Sequence, residues 1–408
     1  MSSLFDAVEM APRDPILGVT EQFNADARPG KVNLGVGVYV DASGKIPLLE
    51  CVRASEAMLV EAAKPRGYLP IDGIAAYDKA VRELVFGPQS RPVREGTVAT
   101  VQAIGGTGGL TTGADLLKRI LPDAGVLISD PSWENHRALF ELAGFRVGTY
   151  AYYDPARQAA DAEAMRRDLA AAPPGTIVVL HACCHNPTGC DLSPADWSRV
   201  IATVAERRLV PFLDLAYQGF GDGLNADAYA VHRFAGATGA DGRPMRFLVA
   251  NSFSKSMSLY GERCGALSVA CADAEEAGRV LGQLKFTIRR NYSNPPIHGG
   301  QIVAAVLSEP DLRARWESEL DGMRQRMLGM RRALHDGLAA RLPGRDFGYL
   351  LAQRGMFGYT GLDPSQVERL RSEHAVYLIR SGRLCVAGLN RANVEPTAQA
   401  IAAVIGAR

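Results

Sequence analysis

Between residues 98 and 271 short apolar runs alternate with segments of helical period. The runs are 98–104, 125–130, 145–153, 176–183, 209–216, 246–252 and 264–271. Several are rich in β-branched residues and apolar without strict alternation, as expected of strands buried on both faces. The clearest helix between them covers 193–208. It has Ser193 as N-cap, Pro194 at the first helical position and an apolar stripe of Trp197, Val200, Ile201 and Val204. A second helix is predicted over 273–290, opening on Asp273, with Val280, Leu281, Leu284 and Ile288 on one face. Strand–helix alternation at this spacing predicts an α/β fold with a mostly parallel central sheet flanked by helices.

After about residue 300 the texture changes. One long helical pattern, roughly 301–341, leads into strand-like pieces at 347–353, 376–380 and 384–388, with helical segments at 364–374 and 394–406. This reads as a second, smaller α+β domain. The first 45 residues lack the alternation, so the pattern alone leaves open whether they cover the large unit or join the small one.

Composition narrows the function. The chain has 408 residues, is 47% hydrophobic and 22% charged, and carries a net charge of +1. Neither a nucleic-acid binder nor a polybasic membrane protein is expected at that balance. No apolar run approaches the ~18 residues of a membrane span. The start, MSSLFDAVEM, has neither the basic nor the apolar stretch of an export signal. Seven cysteines then point to reduced thiols and a cytoplasmic location. Lysine is scarce, at 31, 45, 64, 79, 118, 255 and 285 only, which shortens the list of candidate amine nucleophiles.

In an open parallel sheet, ligands bind beyond the carboxyl ends of the strands. Polar residues follow the predicted strands there: Gly105-Gly106-Thr107-Gly108-Gly109, Pro131-Ser132-Trp133-Glu134-Asn135-His136, Cys184-His185-Asn186-Pro187-Thr188-Gly189, Asp214 with Tyr217, and Phe253-Ser254-Lys255 with Arg263. The glycine run opens a helix, and free N–H groups with the dipole behind them suit a phosphate. It has no lysine for a nucleotide P-loop and breaks the G-x-G-x-x-G spacing of a dinucleotide site. Tight strand–helix packing is the competing explanation. A desolvated Lys255 gains amine character and suits imine formation with a carbonyl; an ion pair with Asp214 is its alternative. Asp214 either pairs with Arg263 or faces a protonated ring nitrogen. No metal is expected: in His181-Ala182-Cys183-Cys184-His185 the cysteines point to opposite faces if the strand continues, and zinc cysteines are usually spaced two to four apart.

A phosphate cup, an imine-forming lysine and a carboxylate for a ring nitrogen together describe pyridoxal 5′-phosphate chemistry. Gly106, Thr107, Ser252, Ser254 and Arg263 would hold the phosphate. Trp133 would stack on the ring, and Asn186 and Tyr217 would donate to its phenolic oxygen.

These segments carry a resemblance that runs nearly end to end, from Val32-Asn33-Leu34-Gly35-Val36-Gly37-Val38-Tyr39 to Ser381-Gly382-Arg383-Leu384-Cys385-Val386-Ala387-Gly388. The chain resembles the class I aspartate/aromatic-amino-acid aminotransferases, fold type I enzymes that use pyridoxal 5′-phosphate. Asp214-Leu215-Ala216-Tyr217-Gln218-Gly219-Phe220 and Arg289-Arg290-Asn291-Tyr292-Ser293-Asn294-Pro295-Pro296 belong to the same match.

The resemblance implies that Lys255 is both the cofactor lysine and the acid/base of the proton shift. Arg383 would bind the substrate α-carboxylate, helped by Asn186, Trp133 and the backbone at Gly37. Arg289 would reach the distal carboxylate of a dicarboxylic substrate from the neighbouring subunit, and Tyr68 the neighbour's cofactor phosphate, in a homodimer with shared active sites. The expected domains are an N-terminal arm (1–12), a small domain (13–46 with 322–408) and a large cofactor domain (47–321). Ser129–His136, Asn251–Lys255, Tyr260–Arg263 and Val280–Lys285 are similar to the aromatic branch, and Val38, Val40 and Ile46 supply an apolar entrance. Asn294 matches the aspartate branch instead. The expectation is ping-pong transamination between phenylalanine or tyrosine, with aspartate also accepted, and 2-oxoglutarate. The alternatives are a strict aspartate enzyme, another fold type I reaction such as a β-lyase or decarboxylase, a nicotinamide-dependent dehydrogenase, and a non-catalytic scaffold.

Overall fold

The computed structural model describes residues 3–10 and 15–406. Seven strands form the central sheet: β1 (Val98–Ile104), β2 (Gly125–Asp130), β3 (Arg146–Ala151), β4 (Ile177–His181), β5 (Val210–Leu215), β6 (Phe247–Ser252) and β7 (Cys264–Ala270). Their spatial order is β1-β7-β6-β5-β4-β2-β3. Only β7 runs against its neighbours, β1 and β6; the other pairs are parallel.

The missing polar alternation follows from burial on both faces. Val178, Leu180, Leu213, Leu215 and Val249 join one apolar cluster, while Ile177, Val179, Phe212, Leu248 and Ala250 join a second. Adjacent residues of one strand thus enter different cores, and β4, β6 and β7 are buried along their whole length. Helix Pro194–Glu206 starts on a capping box between Ser193 and Asp196, and helix Ala274–Asn291 starts on the Asp273 side chain.

The second part of the chain departs from expectation in three places, one of them the strand expected at 384–388, which ends at Cys385 and continues as a single tight helical turn over Val386–Gly388. The long pattern over 301–341 is two helices, His298–Ser308 and Pro310–Arg341. Glu309 between them is extended, with φ −85° and ψ 118°, because a residue before proline is pushed out of the helical region. The run 347–353 is no strand. Tyr349–Ala352 forms a single helical turn, prepared by Asp346, which accepts from the Gly348 N–H at 2.7 Å. The strand comes later, at Phe357–Tyr359, antiparallel to Arg383–Cys385. A short apolar run does not by itself distinguish the two states.

The N-terminal segment joins the C-terminal part. Val32–Asn33 pairs in parallel with Val376–Tyr377, and the Cys385 N–H donates to the Leu34 carbonyl at 2.7 Å. Of the expected N-terminal arm, residues 1–2 and 11–12 lie outside the described residues; Leu4, Phe5, Val8 and Met10 are exposed. Among the described residues no helix is long and apolar enough to cross a membrane.

Candidate active site

At the carboxyl ends of β1, β2, β4, β5 and β6 the loops converge. One pocket is lined by Gly106, Thr107, Leu110, Trp133, Asn186, Asp214, Ala216, Tyr217, Ser252, Ser254, Lys255 and Arg263. Because β7 is antiparallel to β6, the connection between them turns at this same edge and delivers Ser254, Lys255 and Arg263 from one short segment.

The anion cup has three components. Helix Gly105–Ile120 begins here without any side-chain cap; the Gly105 N–H donates to the Arg263 carbonyl at 2.8 Å, and the N–H groups that follow it are the ones left for a ligand. Gly105 has φ +66°, and a Cβ there would meet Arg263 Nη2 at 2.6 Å; a Cβ on Gly109 would meet the Ala266 carbonyl at 2.9 Å. Close packing thus accounts for glycine at both positions. Arg263 donates to Ser254 Oγ at 3.3 Å and to the Tyr260 carbonyl at 3.0 Å. It has no carboxylate partner among the described residues.

Asp214 does not pair with Arg263. Its partner is His136, whose Nε2 donates to Asp214 Oδ2 at 3.0 Å while Nδ1 lies 2.9 Å from Ser132 Oγ. Burial pushes the Asp214 carboxyl up, but the His136 bond and the charges of His136, His181 and Lys255 hold it below the usual carboxylate range. It is thus an anion. Lys255, half-buried, forms no ion pair among the described residues, and its Nζ lies 5.0 Å from the centroid of the Tyr217 ring. Burial pulls its amine below the ordinary lysine value; the Asp214 charge opposes that shift and Arg263 adds to it. Burial and the Asp214 charge push the Tyr217 phenol up, so it stays an O–H donor.

Beside this pocket a guanidinium is buried without a counter-ion among the described residues. Arg383 is 1% exposed. It donates to Asn186 Oδ1 at 3.1 Å and to the Gly35 carbonyl at 2.7 Å, and its charge lies 4.5 Å from the centroid of the Phe357 ring. Its Nε has no partner. Since Arg383 occupies the Asn186 oxygen, the Asn186 amide is left to donate. The Asn186 loop is pinned by Asp191, which accepts from the Cys184 and His185 N–H groups at 2.7 and 2.8 Å. Gly37 lies against Phe357, whose ring would stand 2.8 Å from a Cβ there.

Two sequence-predicted residues lie elsewhere. Tyr68, 95% exposed, and Arg289 line a separate surface hollow with Arg66, Tyr292 and Asn294. Arg289 donates to Ser293 Oγ there. Strand β4 ends at His181, so Cys183 and Cys184 sit in a bend and are both buried rather than pointing to opposite faces of a strand. His181 and His185 continue a line of rings from His136, with centroids 4.9 and 4.3 Å apart.

Sequence reasoning assigned no role to His136, Phe357 or Tyr260. His136 had a signal: it stands three residues after Trp133 at the start of helix Glu134–Leu142, a spacing that puts both on one face.

Comparison with known proteins gives a consistent set. A family model described as aminotransferase class I and II matches residues 29–401. The chain is 56% identical over 403 residues to an aspartate aminotransferase of Pseudomonas aeruginosa, covering 99% of this chain and 100% of the relative. It is 52% identical to an aromatic-amino-acid aminotransferase of Escherichia coli, covering 98% and 100%. Among solved structures it superimposes with a TM-score of 0.96 and 58% identity on an aromatic-amino-acid aminotransferase from Burkholderia pseudomallei covalently bound to pyridoxal phosphate, covering 99% of this chain and 100% of that one.

Proposed function

The chain belongs to the class I and II aminotransferases, enzymes dependent on pyridoxal phosphate, and from that premise we propose that it transfers the amino group of phenylalanine or tyrosine, and also of aspartate, to 2-oxoglutarate. The observation that carries the substrate reading is Arg383, a buried fork with one unpartnered N–H and, among the described residues, no carboxylate of its own, beside the pocket of Lys255, whose amine burial pulls below the ordinary lysine value.

The donor set fits the cofactor. The uncapped helix start, Ser252, Ser254 and Arg263 would hold its phosphate. Asp214 would hold the ring nitrogen protonated, Asn186 and Tyr217 would donate to its phenolic oxygen, and Trp133 would cover its face. When bound, it supplies an electron sink for charge developing at the substrate α-carbon. The chain does the rest. Arg383 takes the α-carboxylate in a planar two-bond match that lysine does not reproduce. Lys255 would tether the cofactor, and its Nζ, freed when the substrate's amine takes its place, would carry the proton that leaves the α-carbon. Phe357 and Tyr217, with ring centroids 5.7 Å apart, keep water from the fork.

Tyr68 and Arg289 are proposed to serve the pocket of a second copy. The support is their separation from Lys255 in a surface hollow. Closure of 13–46 with 322–408 over 47–321 belongs to the same proposal. A reducing compartment accords with seven free, buried thiols. Single-turnover absorbance changes with phenylalanine, tyrosine and aspartate in parallel test the substrate reading. A response to aspartate alone replaces it with strict aspartate transamination.

A further inference from the structure

The segment Gly35–Val40 leads away from the Arg383 fork, which donates to the Gly35 carbonyl, and side chains from distant parts of the chain hold it. The Tyr39 N–H donates to the Tyr260 hydroxyl at 2.8 Å. Arg326, on helix Pro310–Arg341, donates from Nε to the Tyr39 hydroxyl at 2.8 Å. Its Nη1 donates to the Leu389 carbonyl at 2.7 Å, and its Nη2 to the Ala387 carbonyl at 2.9 Å and to the Val40 carbonyl. The guanidinium lies 4.5 Å from the centroid of the Tyr39 ring. All these acceptors are neutral, and among the described residues no carboxylate pairs with Arg326. A half-buried cation whose donors go to two backbone segments and a phenol is a staple between them, a task for a rigid fork rather than an ammonium.

Tyr260 ties this staple to the anion cup. Its carbonyl accepts from Arg263 Nη1 at 3.0 Å, and the same nitrogen donates to Ser254 Oγ at 3.3 Å. One residue thus joins the two, through its backbone carbonyl on the Arg263 side and its hydroxyl on the side of the wall that carries Gly37, Val38 and Val40.

We propose that Tyr260 and Arg326 are positioning residues that select the substrate side chain by fixing this wall. The proposal rests on the reading that Arg383 takes the α-carboxylate. An aromatic side chain gains from close contact with Val38 and Val40, and such contact is forfeited over a fraction of an ångström. A distal carboxylate gains from charge, which falls off more slowly with distance. Loosening the wall therefore penalises aromatic substrates more than aspartate.

The test compares wild-type holoenzyme with Tyr260→Phe and Arg326→Lys. Tyr260→Phe removes one hydroxyl, and Arg326→Lys keeps the charge but not the fork. Half-reaction kcat and KM are measured with phenylalanine and with aspartate, alongside cofactor content and Tm. Each variant should raise KM for phenylalanine about five- to tenfold, the scale of one lost hydrogen bond, and KM for aspartate about twofold or less. The kcat values should stay within about twofold, with cofactor content unchanged. Equal losses with both substrates, losses confined to kcat, or no change in either variant would overturn the proposal. If Arg326→Lys does not fold, Tyr260→Phe decides alone. Wild-type protein that converts neither amino acid refutes the underlying reading, and is seen before any variant is made.

Discussion

His136 Nε2 stands 3.0 Å from Asp214 Oδ2, with both side chains buried at the carboxyl end of β5. This bond, more than any other contact, keeps the carboxylate ionised where burial favours its neutral form. The Asp214 contribution to stability is present above the ordinary carboxylate range and is lost as the pH falls through its lowered value. His136→Leu should raise the Asp214 pKa, move the acid limb of the kcat profile to higher pH and lower kcat roughly tenfold or more, the scale of a charge-assisted bond of about 1.5–3 kcal/mol. An unchanged acid limb in a kcat–pH series separates His136 from that role.

Lys255→Ala should abolish turnover by a factor on the order of 10⁴ or greater, because tether and proton carrier are lost together. Borohydride treatment of the wild-type holoenzyme should add the cofactor mass to the peptide that contains Lys255. Mass on a different peptide, or a variant near the native rate, removes the assignment.

Arg383→Lys keeps the charge and loses the fork. It should cut kcat/KM by about a hundredfold for phenylalanine and aspartate alike, since both carry the same α-carboxylate. A loss with only one of them places Arg383 on the side chain instead.

Arg289→Ala should behave the other way. It should lower kcat/KM for aspartate about a hundredfold and for phenylalanine about threefold or less, as removal of one partner of a charge pair implies. Equal losses mean that Arg289 acts on the fold of its loop.

Asp78 titrates outside the site. It is buried on helix Ala75–Phe86 with Oδ1 unpartnered, and burial, followed by the Asp72 charge, pushes its carboxyl up to about 8. Between the ordinary carboxylate value and about 8 the folded protein holds a proton that the unfolded chain has released, so stability falls as pH rises through that window. Asp78→Asn should flatten this slope and exceed wild type in Tm at pH ~8, with the gap closing toward pH ~5. Parallel melting curves across that range decide it.

Much of the site was legible in the sequence because local segments carry it. Gly105–Gly109 and Asn186 follow strands, Asp214 and Ser252 lie at strand ends, and Lys255 and Arg263 sit on the connection between two strands, each strand announced by its apolar run; a mostly parallel sheet brings such ends together. Contacts that join distant segments left no such trace. The Tyr39–Tyr260 bond spans 221 positions and the Arg326–Tyr39 bond 287, and no periodicity encodes either. The break at Glu309 was visible as a proline inside a helical pattern. The turn at 349–352 was not, because four apolar residues suit a helix and a strand equally.

The antiparallel pairing of β6 with β7 also bears on how the protein assembles. Ser252, Ser254, Lys255 and Arg263 ride on one hairpin-like unit whose partners are close along the chain, so its loop closure costs little entropy. Asn186, Arg383 and Gly37 meet only after most of the polypeptide has collapsed around them. Loop closure therefore favours the Ser252–Arg263 part of the anion cup, whereas its junction with the Gly105 helix start and the carboxylate fork both join segments far apart in the chain.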